Sequence, residues 1–164
     1  MTLAVAAASA VGGARADEAP DAGQTSFGVG WHLGNGLGPL GADVIAAWPH
    51  FALELQVAYI RESSGVGAVT GYAFAPAVRT YLFAAGSSPF ALVGASLEQR
   101  RDGFASTMRG GLFANLGYEW RFESGIGLLA GLGGGWVGAS GGVISPREPG
   151  FGLNAELGLR YMFR

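Results

Sequence analysis

From Gln24 to Phe163 the chain alternates large apolar residues with small or polar ones at a period of two, in eight segments. Successive side chains of a strand point to opposite faces, so this period marks strands with one apolar face. The third segment, 51–61, is the clearest. Phe51, Leu53, Leu55, Val57 and Tyr59 share one face, and Glu54, Gln56 and Ala58 share the other. The sixth, 107–122, sets Leu112, Leu116, Tyr118, Trp120 and Phe122 against Phe113, Asn115, Glu119 and Arg121. The eighth, 150–163, sets Leu153, Leu157, Leu159, Tyr161 and Phe163 against Asn154, Glu156, Arg160 and Met162. Segments 24–34, 40–48, 70–83 and 126–137 follow the same rule, with His32, Asp43 and Arg79 on the faces opposite Trp31, Val44 and Val78. Segment 89–98 is almost wholly small and apolar, which leaves its facing open. Pro76 interrupts the fourth segment and implies lost pairing or a bulge. A helix is excluded, because the period is 2 rather than 3.6 and each interior glycine would cost about 1 kcal/mol relative to alanine.

Composition says where the apolar faces go. Of 164 residues, 49% are hydrophobic and only 13% charged, where a soluble domain carries about 25% charged residues. Glycine accounts for 30 positions. No apolar run reaches the roughly 20 residues of a membrane-spanning helix. A closed barrel with its apolar face toward lipid reconciles these facts. The chain is long enough for one domain and little more. The absence of cysteine excludes disulfides and thiolate metal sites. All ten basic residues are arginine, the net charge is -2, and no basic block occurs. Nucleic-acid binding, which needs a basic face, is therefore not expected.

The connections carry a further signal. Residues 49–50, 84–88 and 123–125 form short links, and 35–39, 62–69, 99–106 and 138–149 are mostly longer. Bacterial outer-membrane barrels have short periplasmic turns and longer outer loops, and the two sets alternate accordingly. Trp48, Phe51, Trp120, Phe122, Tyr161 and Phe163 fall near the expected periplasmic strand ends, and Trp31, Tyr59, Tyr72 and Trp136 toward the outer ends. This is the placement of aromatic girdles at two interfaces. Residues 1–16 are alanine-rich and close on Ala14-Arg15-Ala16, the pattern of a signal peptide cleaved before Asp17. Residues 17–23 then form a short acidic mature N-terminus, and 24–164 the barrel.

Taken together, the leader, the eight segments, the alternating connections and the ending LGLRYMFR resemble the small eight-stranded outer-membrane barrels of the outer membrane protein A and X type. The resemblance is one of pattern and covers Gln24 to Arg164. It implies an all-β, eight-stranded antiparallel up-and-down transmembrane barrel in a Gram-negative outer membrane. It also implies that Tyr161 and Phe163 belong to a C-terminal signal read by the barrel-assembly machinery, although Arg164 follows the last aromatic.

The inward faces collect charges of both signs: His32, Asp43, Glu54, Arg79, Glu119, Arg121, Glu156 and Arg160. A buried charge needs a partner, so these residues read as an ion-paired network plugging the lumen. Eight strands leave an interior just wide enough for side chains, which disfavours an open pore. Of the two histidines, His50 falls in an expected periplasmic turn and His32 points inward. Neither activates a serine at the lipid face, as a lipid A-modifying enzyme on this scaffold would require. The expectation is a monomeric surface protein without cofactor or metal, partnered by outer-membrane lipid and lipopolysaccharide. Glu98 to Asp102 would form a charged rim whose arginines could pair with phosphates. A lipid A-modifying enzyme and a soluble lipocalin-like barrel binding an apolar ligand stay open as alternatives. If the ring closes with the ends of segments one and eight level, His32 lies opposite Glu156, within about one pleat either way.

Overall fold

The computed structural model describes residues 25–34, 40–64, 67–101, 106–138 and 150–163. Residues 1–24, which include the expected signal peptide and acidic segment, and Arg164 lie outside the described residues. The strands are β1 (Ser26–Gly34), β2 (Gly41–Ala47), β3 (Phe51–Ser64), β4 (Gly67–Tyr81), β5 (Ser88–Arg101), β6 (Ser106–Arg121), β7 (Ile126–Val137) and β8 (Gly150–Phe163). Each pairs antiparallel with its neighbour in sequence, and β1 closes the ring on β8. The architecture is a closed, eight-stranded, antiparallel up-and-down barrel. The end of the ring where β1 starts and β8 stops is called the near end below, and the opposite rim the far end.

The closing register lies one pleat from level strand ends, within the expected margin. Gly28 pairs with Met162 and Gly34 with Glu156, so His32 faces Gly158 rather than Glu156. Strands in a closed barrel are tilted and staggered, and paired strand ends are therefore offset. Around the ring the alternation holds. Leu53, Leu55 and Val57 of β3 are exposed on the outer surface, while Glu54 and Gln56 between them are buried. The facing of β5 follows from its register on β4, where Val78 pairs with Val93: Phe90 and Leu92 point inward, and Val93 and Leu97 outward. Pro76 makes no bulge. The β4–β5 pairing skips residues 75 and 76 but resumes in the same register, from Phe74–Leu97 to Ala77–Gly94. Proline lacks the N–H that a ladder needs, and the gap is local.

Strand lengths differ from the sequence reading at the far end. β3 and β4 run on until only residues 65–66 separate them, and β5 and β6 until only 102–105 do. The regular apolar alternation stops short of these limits, yet backbone pairing continues beyond it. The gap between β4 and β5 at the near end, 82–87, is longer than either. The expected sorting of short and long connections therefore does not hold. Near-end turns are hydrogen-bonded: Trp48 N–H donates to the Phe51 carbonyl at 2.8 Å, and Gly125 N–H to that of Phe122 at 3.0 Å. Gly125 has a φ of 83°, a left-handed conformation that favours glycine.

The outer surface is apolar in a continuous band. Leu116 and Leu132, paired across β6 and β7, are each 71% exposed, and Leu153 of β8 is 99% exposed. Aromatic pairs border it. Near the near end, Trp48 stacks on Phe51 at 4.6 Å, Tyr118 meets Trp120 at 5.0 Å and Tyr161 meets Phe163 at 5.3 Å. Toward the far end, Tyr59 of β3 meets Tyr72 of β4 at 5.5 Å.

Candidate functional site

The inward-facing polar residues converge in the near-end half of the lumen. Two arginines organise them. Arg79 of β4 donates from Nε to Glu54 Oε1 on β3 at 2.5 Å, and from Nη2 to Glu156 Oε1 on β8 at 2.8 Å. β4 and β8 lie on opposite sides of an eight-membered ring, so the second bond crosses the lumen. Arg160 of β8 reaches three carboxylates: Asp43 of β2 at 2.8 Å, Glu54 at 2.7 Å and Glu119 of β6 at 3.4 Å. Arg121 completes the set, its Nε 2.9 Å from Glu119 Oε1. Seven of the eight expected residues thus form one connected lattice over five strands.

The local sequence makes these reaches possible. Gly30 pairs with Asp43, and a Cβ there would fall 2.2 Å from Asp43 Oδ1, so glycine leaves the carboxylate room to lie across its neighbour. Gly133 serves Asn115 likewise, with Asn115 Oδ1 2.2 Å from the position of a Cβ. Gly30 and Gly133 are thus the space into which these two polar side chains fold.

His32 stands apart. It is buried and points inward, but among the described residues it makes no hydrogen bond or ion pair with the lattice. Its ring lies over Gly41, where a Cβ would be 2.3 Å from Nε2. His50 lies in the near-end turn, its Nδ1 3.4 Å from the Tyr81 carbonyl.

Several members were missed in the sequence. The Tyr81 hydroxyl donates to Glu119 Oε2 at 2.8 Å, and its ring lies 4.0 Å beneath the Arg121 guanidinium. Phe90 lies 3.8 Å from the Arg79 guanidinium, face on. Gln56 donates to Glu54 and Asn115 to Glu156, each at 3.3 Å. Parity could have found Tyr81, which follows Arg79 by two residues. Phe90 was hidden by the ambiguous facing of its strand. Farther out, Glu98 and Arg100 pair side by side on β5, with Arg109 of β6 opposite Glu98. No group of three or more metal-ligating side chains occurs among the described residues.

Fold and site together define a closed eight-stranded antiparallel barrel with an apolar exterior and an interior that holds an ion-paired lattice beside a cluster of buried apolar side chains. No family model and no curated protein matches the chain. Among solved structures, it is similar to Ail, the attachment invasion locus protein of Yersinia pestis. The TM-score is 0.47 and the sequence identity 13%, over 85% of this chain and 97% of that one.

Proposed function

We propose that the chain is a small outer-membrane barrel, closed to ion flow by its own side chains, whose role is structural or in surface interaction rather than catalytic. The observation that carries this reading is the inversion of polarity across the barrel wall. Arg79, Arg160, Glu54, Glu119 and Glu156 are buried inside, while leucine, valine and aromatic side chains stand exposed around the whole circumference. Soluble monomers rarely expose contiguous apolar patches beyond a few hundred Å². A lipocalin-like barrel would have the opposite arrangement, with an apolar cavity and a polar outside. The aromatic pairs at both borders of the band fit two membrane interfaces. Closure of the lumen is supported by the Arg79–Glu156 bond across its diameter. A non-catalytic role is supported by the placement of the histidines, neither of which stands on the outer surface of a strand.

Fractionation combined with a heat-modifiability gel tests the location. The folded chain is expected in the outer-membrane fraction, migrating differently before and after boiling. Recovery from the soluble periplasmic fraction would sink the reading. Planar-bilayer recordings test closure, with no steady conductance expected.

A further inference from the structure

Among the described residues, charge breaks the apolar outer face of the strands in one place. Among the described side chains, those exposed on the outward face of a strand include two charged ones, Arg61 of β3 and Arg101 of β5, and no acidic residue. They lie in one row of paired residues. Arg61 pairs with Thr70, Thr70 with Arg101, and Arg101 with Ser106. Two strand spacings separate the arginines, about 10 Å between backbones. Two long, flexible side chains at that separation can reach a common group. The neighbourhood is polar as well: the Gln99 amide donates to the Ser106 hydroxyl at 3.3 Å on the same outward face. One pleat below the row stand Tyr59 and Tyr72, paired across β3 and β4, and below these the apolar band resumes at Val57 and Phe74.

We propose that Arg61 and Arg101 form an external docking site for the phosphate groups of a lipid in the leaflet at the far end of the barrel. The inference rests on the membrane reading above and deepens it by naming the partner. Three features select a lipid over a soluble anion. The arginines point sideways out of the wall, not up into a loop cluster or into the lumen. They stand immediately above a tyrosine pair, at the level where a bilayer changes from acyl chains to head groups. The apolar strand surface beneath them is continuous, so one molecule can lay its acyl chains on Val57, Phe74 and Leu97 while its phosphates meet the guanidiniums. Arginine suits the task, because its planar fork of donors matches phosphate oxygens. The opposite side of the barrel, where Trp136, Phe151 and Leu153 carry the outward face of β7 and β8, presents no such charge among its described residues.

The test uses the full chain in nanodiscs of phosphatidylcholine doped with bisphosphorylated lipid A or with dephosphorylated lipid A. Bound lipid is read by native mass spectrometry. The wild type is expected to retain the phosphorylated lipid preferentially, and R61Q/R101Q to lose the preference, at about fivefold per arginine. R61K/R101K should keep most of it, and millimolar inorganic phosphate should not compete. Heat-modifiability reports that each variant is folded, and the single variants R61Q and R101Q give the same reading should the double variant not assemble. Equal retention by wild type and the glutamine variants, equal retention of both lipids, or displacement by free phosphate overturns the proposal. Failure of the wild type to insert into undoped nanodiscs would instead overturn the membrane reading itself.

Discussion

Glu54 and Leu55 are adjacent in sequence and live in opposite solvents. Glu54 is 4% exposed, within reach of Arg79 and Arg160, and Leu55 is 44% exposed on the outside of the same strand. On the inner face a charge is held by partners on other strands, and the energetics are those of a buried ion lattice. On the outer face nothing in the protein holds the side chain, and the energetics are those of transfer into the surroundings. The two faces therefore respond oppositely to the same change. Removing charge harms the inside, and adding charge harms the outside.

The sharpest break of this contrast is Arg160→Met. It removes the counter-charge shared by Asp43, Glu54 and Glu119. Deleting one member of a buried pair costs about 3–5 kcal/mol, because the partner is left buried and unpaired. Urea unfolding in lipid vesicles is expected to show a loss in that range. A loss below about 1 kcal/mol would mean that water, not Arg160, holds those carboxylates.

Next in size is the mirror experiment, Leu116→Arg or Leu55→Arg on the outer face. A charge facing lipid near the bilayer midplane costs about 2–4 kcal/mol. Gln56→Arg, one position along and inward beside Glu54, is expected to cost less than Leu55→Arg. Equal losses at 55 and 56 would contradict the assigned facing.

A smaller effect probes packing inside. A Cβ at Gly94 would meet Phe113 Cζ at 2.5 Å and the Ala77 Cβ at 2.9 Å, whereas one at Gly152 meets nothing within 4 Å. Gly94→Ala should destabilise by about 1–3 kcal/mol through overpacking. Gly152→Ala should be neutral or stabilise by up to about 1 kcal/mol, through the lost freedom of the unfolded chain. The same urea titration separates the two.

What the sequence disclosed follows the same division. Facing was legible wherever large apolar residues alternate with polar ones, which is why Glu54, Arg79 and Arg160 could be placed inward from parity alone. The fifth segment offered no such contrast, and Phe90 beneath Arg79 went unseen. Register was legible only to within a pleat. Whether His32 meets Glu156 or Gly158 depends on the stagger of the whole closed ring, a property of eight strands together and not of either one. The outer limits of β3 to β6 were also hidden, since backbone ladders extend past the apolar band without any change in periodicity to mark it.

The bond from Arg79 to Glu156 spans 77 residues of chain as well as the width of the lumen. Arg79 meets Glu54 as soon as the β3–β4 hairpin forms, but its second acid arrives on the last strand. Until β8 docks, one half of that guanidinium and the whole of Glu156 have no such partner, and Arg160 is still separated from Asp43 and Glu54. The part of the lattice that reaches β8 thus acts as a latch on ring closure. A sheet of seven strands gains none of the cross-lumen contacts made by Arg160, and the eighth gains them together. A ring that has not closed lacks these contacts, and the sealed barrel gains them.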